Sequence, residues 1–371
     1  MSVSPQDLER QLAERHKPLL VLYPEISTEQ RAHRERWREE DKAPLLADYY
    51  PRDLGMVFDH ACARGGVART DPSHDRPRVL DALGANACER IDVIDGVGHA
   101  DRDAFWAAYY RIMNNVTPHE RDEAYPLRAY AHVAYGQDLP EASGYASLIA
   151  IEYWMFYLYN DWKSTHEGDW ELVIVYLRQP DDASLPPHPI ACAYSAHHGG
   201  FRQPWAHVWK TDDNKAPGAS GTHPIVYVAN GSHANYFHGP GSYHTTTEVF
   251  GARITSGEFP FTGSFVDYTT SLKERTGEFP EVQLVPPAEN GRWAGDWRWL
   301  NFTGEWGSSG VPPLLALPLR LVPKRYRFDL QRRVWGAPAS LPPRRNWRDP
   351  FSWADNECQE APVPGSWLSA H

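Results

Sequence analysis

The stretch HEGDWELVIVYL opens with His166, Glu167, Asp169 and Glu171 ahead of an apolar run, and Asp161 lies a few residues upstream. If Trp170 to Leu177 forms a strand, residues two apart share a face, so Asp169 and Glu171 point the same way. Two like charges side by side repel unless a cation, a protonated histidine or an arginine sits between them, or one of them is protonated. His166 precedes Asp169 by three residues, and Gly168 can take the positive φ that would fold the imidazole back over the carboxylates. The pattern His-x-x-Asp-x-Glu then reads as three ligands for one divalent cation: His166, Asp169 and Glu171. Asp161 is the candidate for a fourth ligand, or for a partner that holds His166. Hard oxygens plus one imidazole favour Mg²⁺, Mn²⁺ or Ca²⁺, and Zn²⁺ and Fe²⁺ are also compatible.

Roughly half of the chain's 17 histidines fall between His166 and His244. His198, in YSAHHGG, and His233, in ANGSHANYF, are the candidates for acid/base groups beside such a cation. Gly231 permits a turn or bulge, and His233 and Asn235 are expected on one strand face. The competing reading of the acid cluster is a strand-edge network in which Asp169 caps a turn and Glu171 pairs with an arginine such as Arg202. The chain carries no phosphate-binding glycine loop, dinucleotide fingerprint, Gly-x-Ser-x-Gly elbow or His-Glu-x-x-His helix.

The elements that would position these residues are mainly short strands. Aromatic residues make up 13% of the 371 residues, and 32 prolines interrupt the chain, which favours strands and long loops over a helix bundle. Residues 5 to 17 read as an amphipathic helix, Leu19 to Ile26 as a short strand, Ser27 onward as a polar helix with capping-box spacing to Gln30, and Ala100 to Asn115 as a more apolar helix. From about Arg128, runs such as YASLIAIEYWMFYLYN and HPIVYVANGSHANYF are apolar on both faces, as in a sheet covered on both sides. The expected fold is β-rich α+β, a β-sandwich core with peripheral N-terminal helices and long loops. A mixed N-terminal lobe over 1–125 would pack on a sandwich domain over 126–371 that carries the site. The tryptophans of the last third, Trp293, Trp297, Trp299, Trp306, Trp347 and Trp353, are read first as wedges between strands and loops, and second as the lining of a ligand groove.

The net charge of −11 argues against a nucleic-acid partner for the chain as a whole, and the basic stretch Lys324 to Arg348 reads as a solvated surface. Cys62, Cys88, Cys192 and Cys358 are far apart in sequence, which predicts free and mostly buried thiols. The charged N-terminus lacks the apolar core of a signal peptide, and no run is long enough to span a bilayer; a soluble, cytoplasmic protein is expected.

The motifs YWMFYLYND, HEGDWELVIVYL, YSAHHGG, HPIVYVANGSHANYF and, less closely, FTGEWG and DPFSW together resemble the vacuolar protein sorting-associated protein 62 family over about residues 144 to 355. More distantly, THEGDWE is similar to the Gly-His-Arg-His-Asp-Trp-Glu heptapeptide of the necrosis- and ethylene-inducing-peptide-like cytolysins, matching at His166, Asp169, Trp170 and Glu171. That similarity implies a divalent-cation site on a β-sandwich, with Asp161 as an upstream acidic ligand. The chain departs from the cytolysin pattern at Gly168, which replaces the second histidine.

These readings point first to a metal-dependent hydrolase of an ester or phosphoester. The cation would activate a water, and His198 or His233 would act as acid/base. An oxygenase or cyclase on the same cation would leave a similar imprint. The alternatives are a metal-dependent module that binds a small molecule, a lipid headgroup or a glycan without turnover, and a trafficking or interaction protein.

Overall fold

A computed structural model describes residues 4–22, 50–60, 62–64, 76–93, 123–139, 144–160, 166–182, 185–196, 199–212, 220–229, 231–239, 242–248, 253–254, 257–258, 262–268, 276–307, 339–340 and 349–361. Among these residues, strands dominate over helices. The helices expected over Ser27–Ala43 and Ala100–Asn115, the basic stretch Lys324–Arg348 and Trp347 lie outside the described residues or almost wholly so.

The centre is a seven-stranded sheet. Its middle strands are β5 (Leu148–Asn160) and β6 (His166–Arg178), both 13 residues long and antiparallel. Beyond β5 come β4 (Arg128–Tyr135) and, parallel to it, β17 (Glu281–Leu284). Beyond β6 come β7 (His188–Ala196), β8 (Gly199–Pro204) and, parallel to β8, β20 (Cys358–Glu360). In β5 the run of branched and aromatic residues is buried on both faces, which is why it reads as continuously apolar and not as alternating.

A five-stranded sheet covers one face. It consists of β1 (Leu19–Leu22), β9 (Lys210–Thr211), β10 (His223–Val228), β11 (Asn235–Tyr236) and β16 (Thr276–Glu278). Leu20, Leu22, Val226 and Val228 from this sheet share a core with Ile151, Tyr153, Val173 and Val175 from the central one. Two sheets enclosing a common apolar layer are a β-sandwich. Helix α1 (Pro5–Arg15), capped by the Ser4 side chain on the Asp7 amide, adds Leu12 and Ala13 to the same core.

The opposite face is covered by α2 (Gly55–His60), α3 (Arg76–Gly84), α4 (Pro350–Glu357), a short 3₁₀ segment over Gly295–Asn301, and a four-stranded sheet. That sheet is formed by β2 (Cys62–Arg64), β3 (Arg90–Asp92), β18 (Glu305–Trp306) and β19 (Ala339–Ser340). Two further pairs are β12 (Ser242–Glu248) with β15 (Thr262–Tyr268), and β13 (Arg253–Ile254) with β14 (Gly257–Glu258). The fold is therefore β-rich α+β. The N-terminal residues are woven into it, since β1 runs parallel to β10 and β3 parallel to β18.

The described tryptophans of the last third serve as packing. Trp299, Trp306 and Trp353 are buried, and Trp293 and Trp297 pack partly buried against the same core. Trp170 stacks on Trp299 with rings 6.0 Å apart and meets Trp306 edge-on at 5.6 Å. Cys88, Cys192 and Cys358 are free; burial pushes the Cys88 thiol up to about 11 and the Cys358 thiol up to about 12, so both remain unreactive thiols at neutral pH.

Candidate functional site

The start of β6 changes face. Farther along the strand, Leu172, Ile174 and Tyr176 belong to the helix-covered core, and Val173, Val175 and Leu177 to the sandwich core. Strict alternation would send Glu167 to the same side as Asp169 and Glu171. Instead the Glu167 carboxylate accepts the Val93 amide at 3.2 Å, and Val93 lies in the helix-covered core. The switch sits at Gly168, whose φ is +66°. A Cβ there would also collide with the Trp306 carbonyl oxygen, so both the backbone conformation and the close approach of β18 require glycine. The paired strand makes the same shift: Leu158 and Tyr159 both face the helix-covered core, although they are adjacent in sequence.

One of the four crowded carboxylates is thereby a structural tie, and two others are gathered at the sandwich edge. Asp169 accepts Asn160 Nδ2 at 3.0 Å from the facing strand and His233 Nδ1 at 2.9 Å. An ionised carboxylate only accepts, so His233 Nδ1 carries the proton. The imidazole lies flat on the Tyr157 ring, with centroids 4.0 Å apart and planes 9° from parallel. His233 is 1% exposed and Asp169 14%. Glu171 accepts the Ser195 hydroxyl from β7. Ser195 Oγ in turn accepts the Leu172 amide at 2.7 Å and Asn235 Nδ2 at 3.4 Å.

The loop from β10 to β11 delivers His233 and Asn235. Gly231 takes φ +80°, as its place in the motif predicts, and His233 itself is left-handed at φ +57°. The turn closes through Ala229 N to Ala234 O at 2.9 Å and His233 N to Ala229 O at 3.2 Å. His233 is thus not a strand residue sharing a face with Asn235. It precedes β11; from the turn His233 reaches Asp169, and from the strand Asn235 reaches Ser195, the partner of Glu171.

Of the predicted site residues, the fold brings Asp169, Glu171 and His233 together. His166 pairs with Asn160 in the β5–β6 register, but its side chain lies outside the described residues, as do Asp161 and His198. Arg202 does not pair with Glu171; it bonds Glu360 at 2.7 Å and also Asp355. Asn160, Ser195 and Tyr157 are site residues that motif reasoning missed. Asn160 ends β5, and only strand pairing reveals that it faces Asp169.

Among the described residues, no group of three His, Cys, Asp or Glu side chains is arranged to hold a metal ion. Asp169 and Glu171 fit two of the oxygen ligands that the motif calls for, with Asp169 oriented by Asn160 and His233 and Glu171 by Ser195.

No protein-family model matches the chain, so the resemblance to the vacuolar protein sorting-associated protein 62 family has no support. No curated protein matches it either. Among solved structures it is similar to the non-toxic HaNLP3 protein, at 12% identity over 76% of each chain and a TM-score of 0.27. It is also similar to NLPPya in complex with glucosamine, at 14% identity over 76% of this chain and 75% of that one, with a TM-score of 0.27. A third likeness, at 14% identity, 76% of each chain and a TM-score of 0.29, is to a structure described as a toxin fold for microbial attack and plant defense. These are structures of the necrosis- and ethylene-inducing type that the THEGDWE motif resembles; at this distance the functional reading rests on the site's own residues.

Proposed function

We propose that this protein is a cation-dependent binding module, in which a divalent ion held at the sandwich edge bridges the protein to a glycan or to the polar headgroup of a lipid. Asp169, Glu171 and His166 are its ligands, and Asp161 is the upstream acidic residue that completes or supports the set. Mg²⁺, Mn²⁺ and Ca²⁺ suit this mainly oxygen donor set best. When bound, such an ion supplies a hard positive centre that accepts ligand hydroxyl or phosphate oxygens.

The observation that carries binding over turnover is the environment of His233. An acid/base group must reach the reacting atoms. His233 is buried, stacked on Tyr157 and bonded through Nδ1 to Asp169, which suits a residue that orients a ligand carboxylate and not one that exchanges protons with a substrate. A hydrolytic reading therefore depends on His198, outside the described residues. No helix among the described residues is long and apolar enough to cross a membrane.

Glucosamine and mannosamine, with which NLPPya has been solved, are suitable probes. Isothermal titration is expected to give saturable binding of one or both in the presence of Ca²⁺ or Mg²⁺, lost with chelator and in Asp169→Asn. Binding unaffected by chelator would refute the bridging role of the ion. Cation-dependent turnover of an ester or phosphoester would replace the binding reading with the hydrolytic one.

A further inference from the structure

A second set of ionisable groups lies on β4 and β5, apart from the acid pair. Glu152 is fully buried in the middle of β5, where its strand neighbours Ile151, Tyr153 and Trp154 are buried apolar or aromatic residues. Directly opposite in the register stands His132, whose Nδ1 is 2.8 Å from Glu152 Oε2. An ionised carboxylate at the centre of a core costs several kcal/mol unless it is paired, and an apolar residue of similar size would be at least as stabilising there. The pair therefore calls for a role beyond packing.

His132 connects the buried carboxylate to a cavity of about 500 Å³. Glu9 and the residues that open α1 line it together with Val133, Val285, Pro286 and Pro287. Burial raises the Glu9 carboxyl above its ordinary range, opposed by a hydrogen bond from Tyr135 and the charge of His132. Burial likewise pushes Glu152 up to about 7, opposed by His132. Glu9 and His132 thus share the wall of one cavity, with Glu152 behind the imidazole. The partial positive charge at the start of α1 is already answered by Asp7 in its first turn.

We propose that this cavity is a second ligand site, for a small organic ammonium ion with a short apolar body. The ammonium donates to the Glu9 carboxylate, beside the His132 ring. The hydrocarbon lies on Val133, Val285 and the two prolines. Glu152 holds the imidazole in place from beneath and does not touch the ligand. The site uses no residue of the acid pair and stands independently of the cation reading.

The test is a titration of histidine-labelled protein with n-butylammonium, n-butanol and butyrate, followed by the ring resonances of His132, which are assigned by their loss in His132→Gln. Saturable shifts are expected with n-butylammonium alone, at a dissociation constant of about millimolar order, as suits a ligand of so few atoms. Glu9→Gln should weaken binding by about tenfold, the loss of one charge-assisted contact. Val285→Trp, which fills the cavity without altering charge, should abolish it, and covers the case in which Glu9→Gln disturbs α1. Equal binding of butanol or butyrate, the absence of a saturable shift, or unchanged affinity in both folded variants would overturn the proposal.

Discussion

Replacement of Gly168 by alanine tests the face switch that assembles the acid site. The glycine has φ +66°, where an L residue costs about 1–2 kcal/mol relative to glycine. The added Cβ also meets the Trp306 carbonyl oxygen, a backbone atom that cannot rotate away, and overpacking of that kind adds about 1–3 kcal/mol. The total is roughly 2–5 kcal/mol. Gly291 is the control, with φ +75° and nothing within 4 Å of its Cβ position, so Gly291→Ala carries the conformational cost alone. Urea unfolding of the two variants should therefore place Gly168→Ala about 1–3 kcal/mol below Gly291→Ala. Because the switch sets Glu167 on one face and Asp169 on the other, Gly168→Ala should also weaken cation binding, which Gly291→Ala leaves intact. Equal destabilisation by the two variants, or full cation binding in Gly168→Ala, would refute the argument.

Two further outcomes follow from named contacts. His16 is buried, with Nδ1 donating to the Thr222 carbonyl at 3.1 Å, and burial, reinforced by the charges of Arg15 and His223, lowers it to about 4 from 6.5. Below pH 6.5 the unfolded chain takes up a proton that the folded one refuses until about pH 4, so stability is lost as pH falls through that window. The loss is about 3 kcal/mol, and pH-dependent unfolding of the wild type should show it while His16→Asn does not; parallel profiles would exclude this role. His233→Asn keeps a side chain that tolerates the left-handed backbone but loses the flat stack on Tyr157. It should fold normally and bind the cation about 10–100-fold more weakly by titration, and unchanged affinity would remove His233 from the positioning role.

Much of the architecture was legible in the sequence. The double-sided apolar runs of β5 and β6 announced a covered sheet, because such runs occur where both faces are buried. The joint orientation of Asp169 and Glu171 was also readable from spacing, as was a positive φ at Gly168, though not the approach of the Trp306 carbonyl that makes glycine necessary there. Glu167 was misleading because its side chain departs from alternation at a glycine whose effect depends on β18, a strand far away in sequence. Asn160 and Ser195 could not be chosen from motif spacing, since each meets its carboxylate across a strand pair. Glu152 carried a signal that went unread: one charge in the middle of thirteen otherwise mostly apolar residues. Its partner, twenty positions earlier, emerges only from the β4–β5 register.

The most direct measurement is the metal content of the purified protein, by elemental analysis of wild type, Asp169→Asn and Glu171→Gln, each confirmed folded by circular dichroism and thermal unfolding. A site built on these carboxylates predicts about one divalent ion per chain in wild type, either as purified or after incubation with Mg²⁺, Mn²⁺, Ca²⁺ or Zn²⁺, and its loss in both variants. A wild type that binds none of these ions, or folded variants that retain the ion, would contradict it and leave the acid pair as a hydrogen-bonded tie between β5, β6, β7 and the turn before β11.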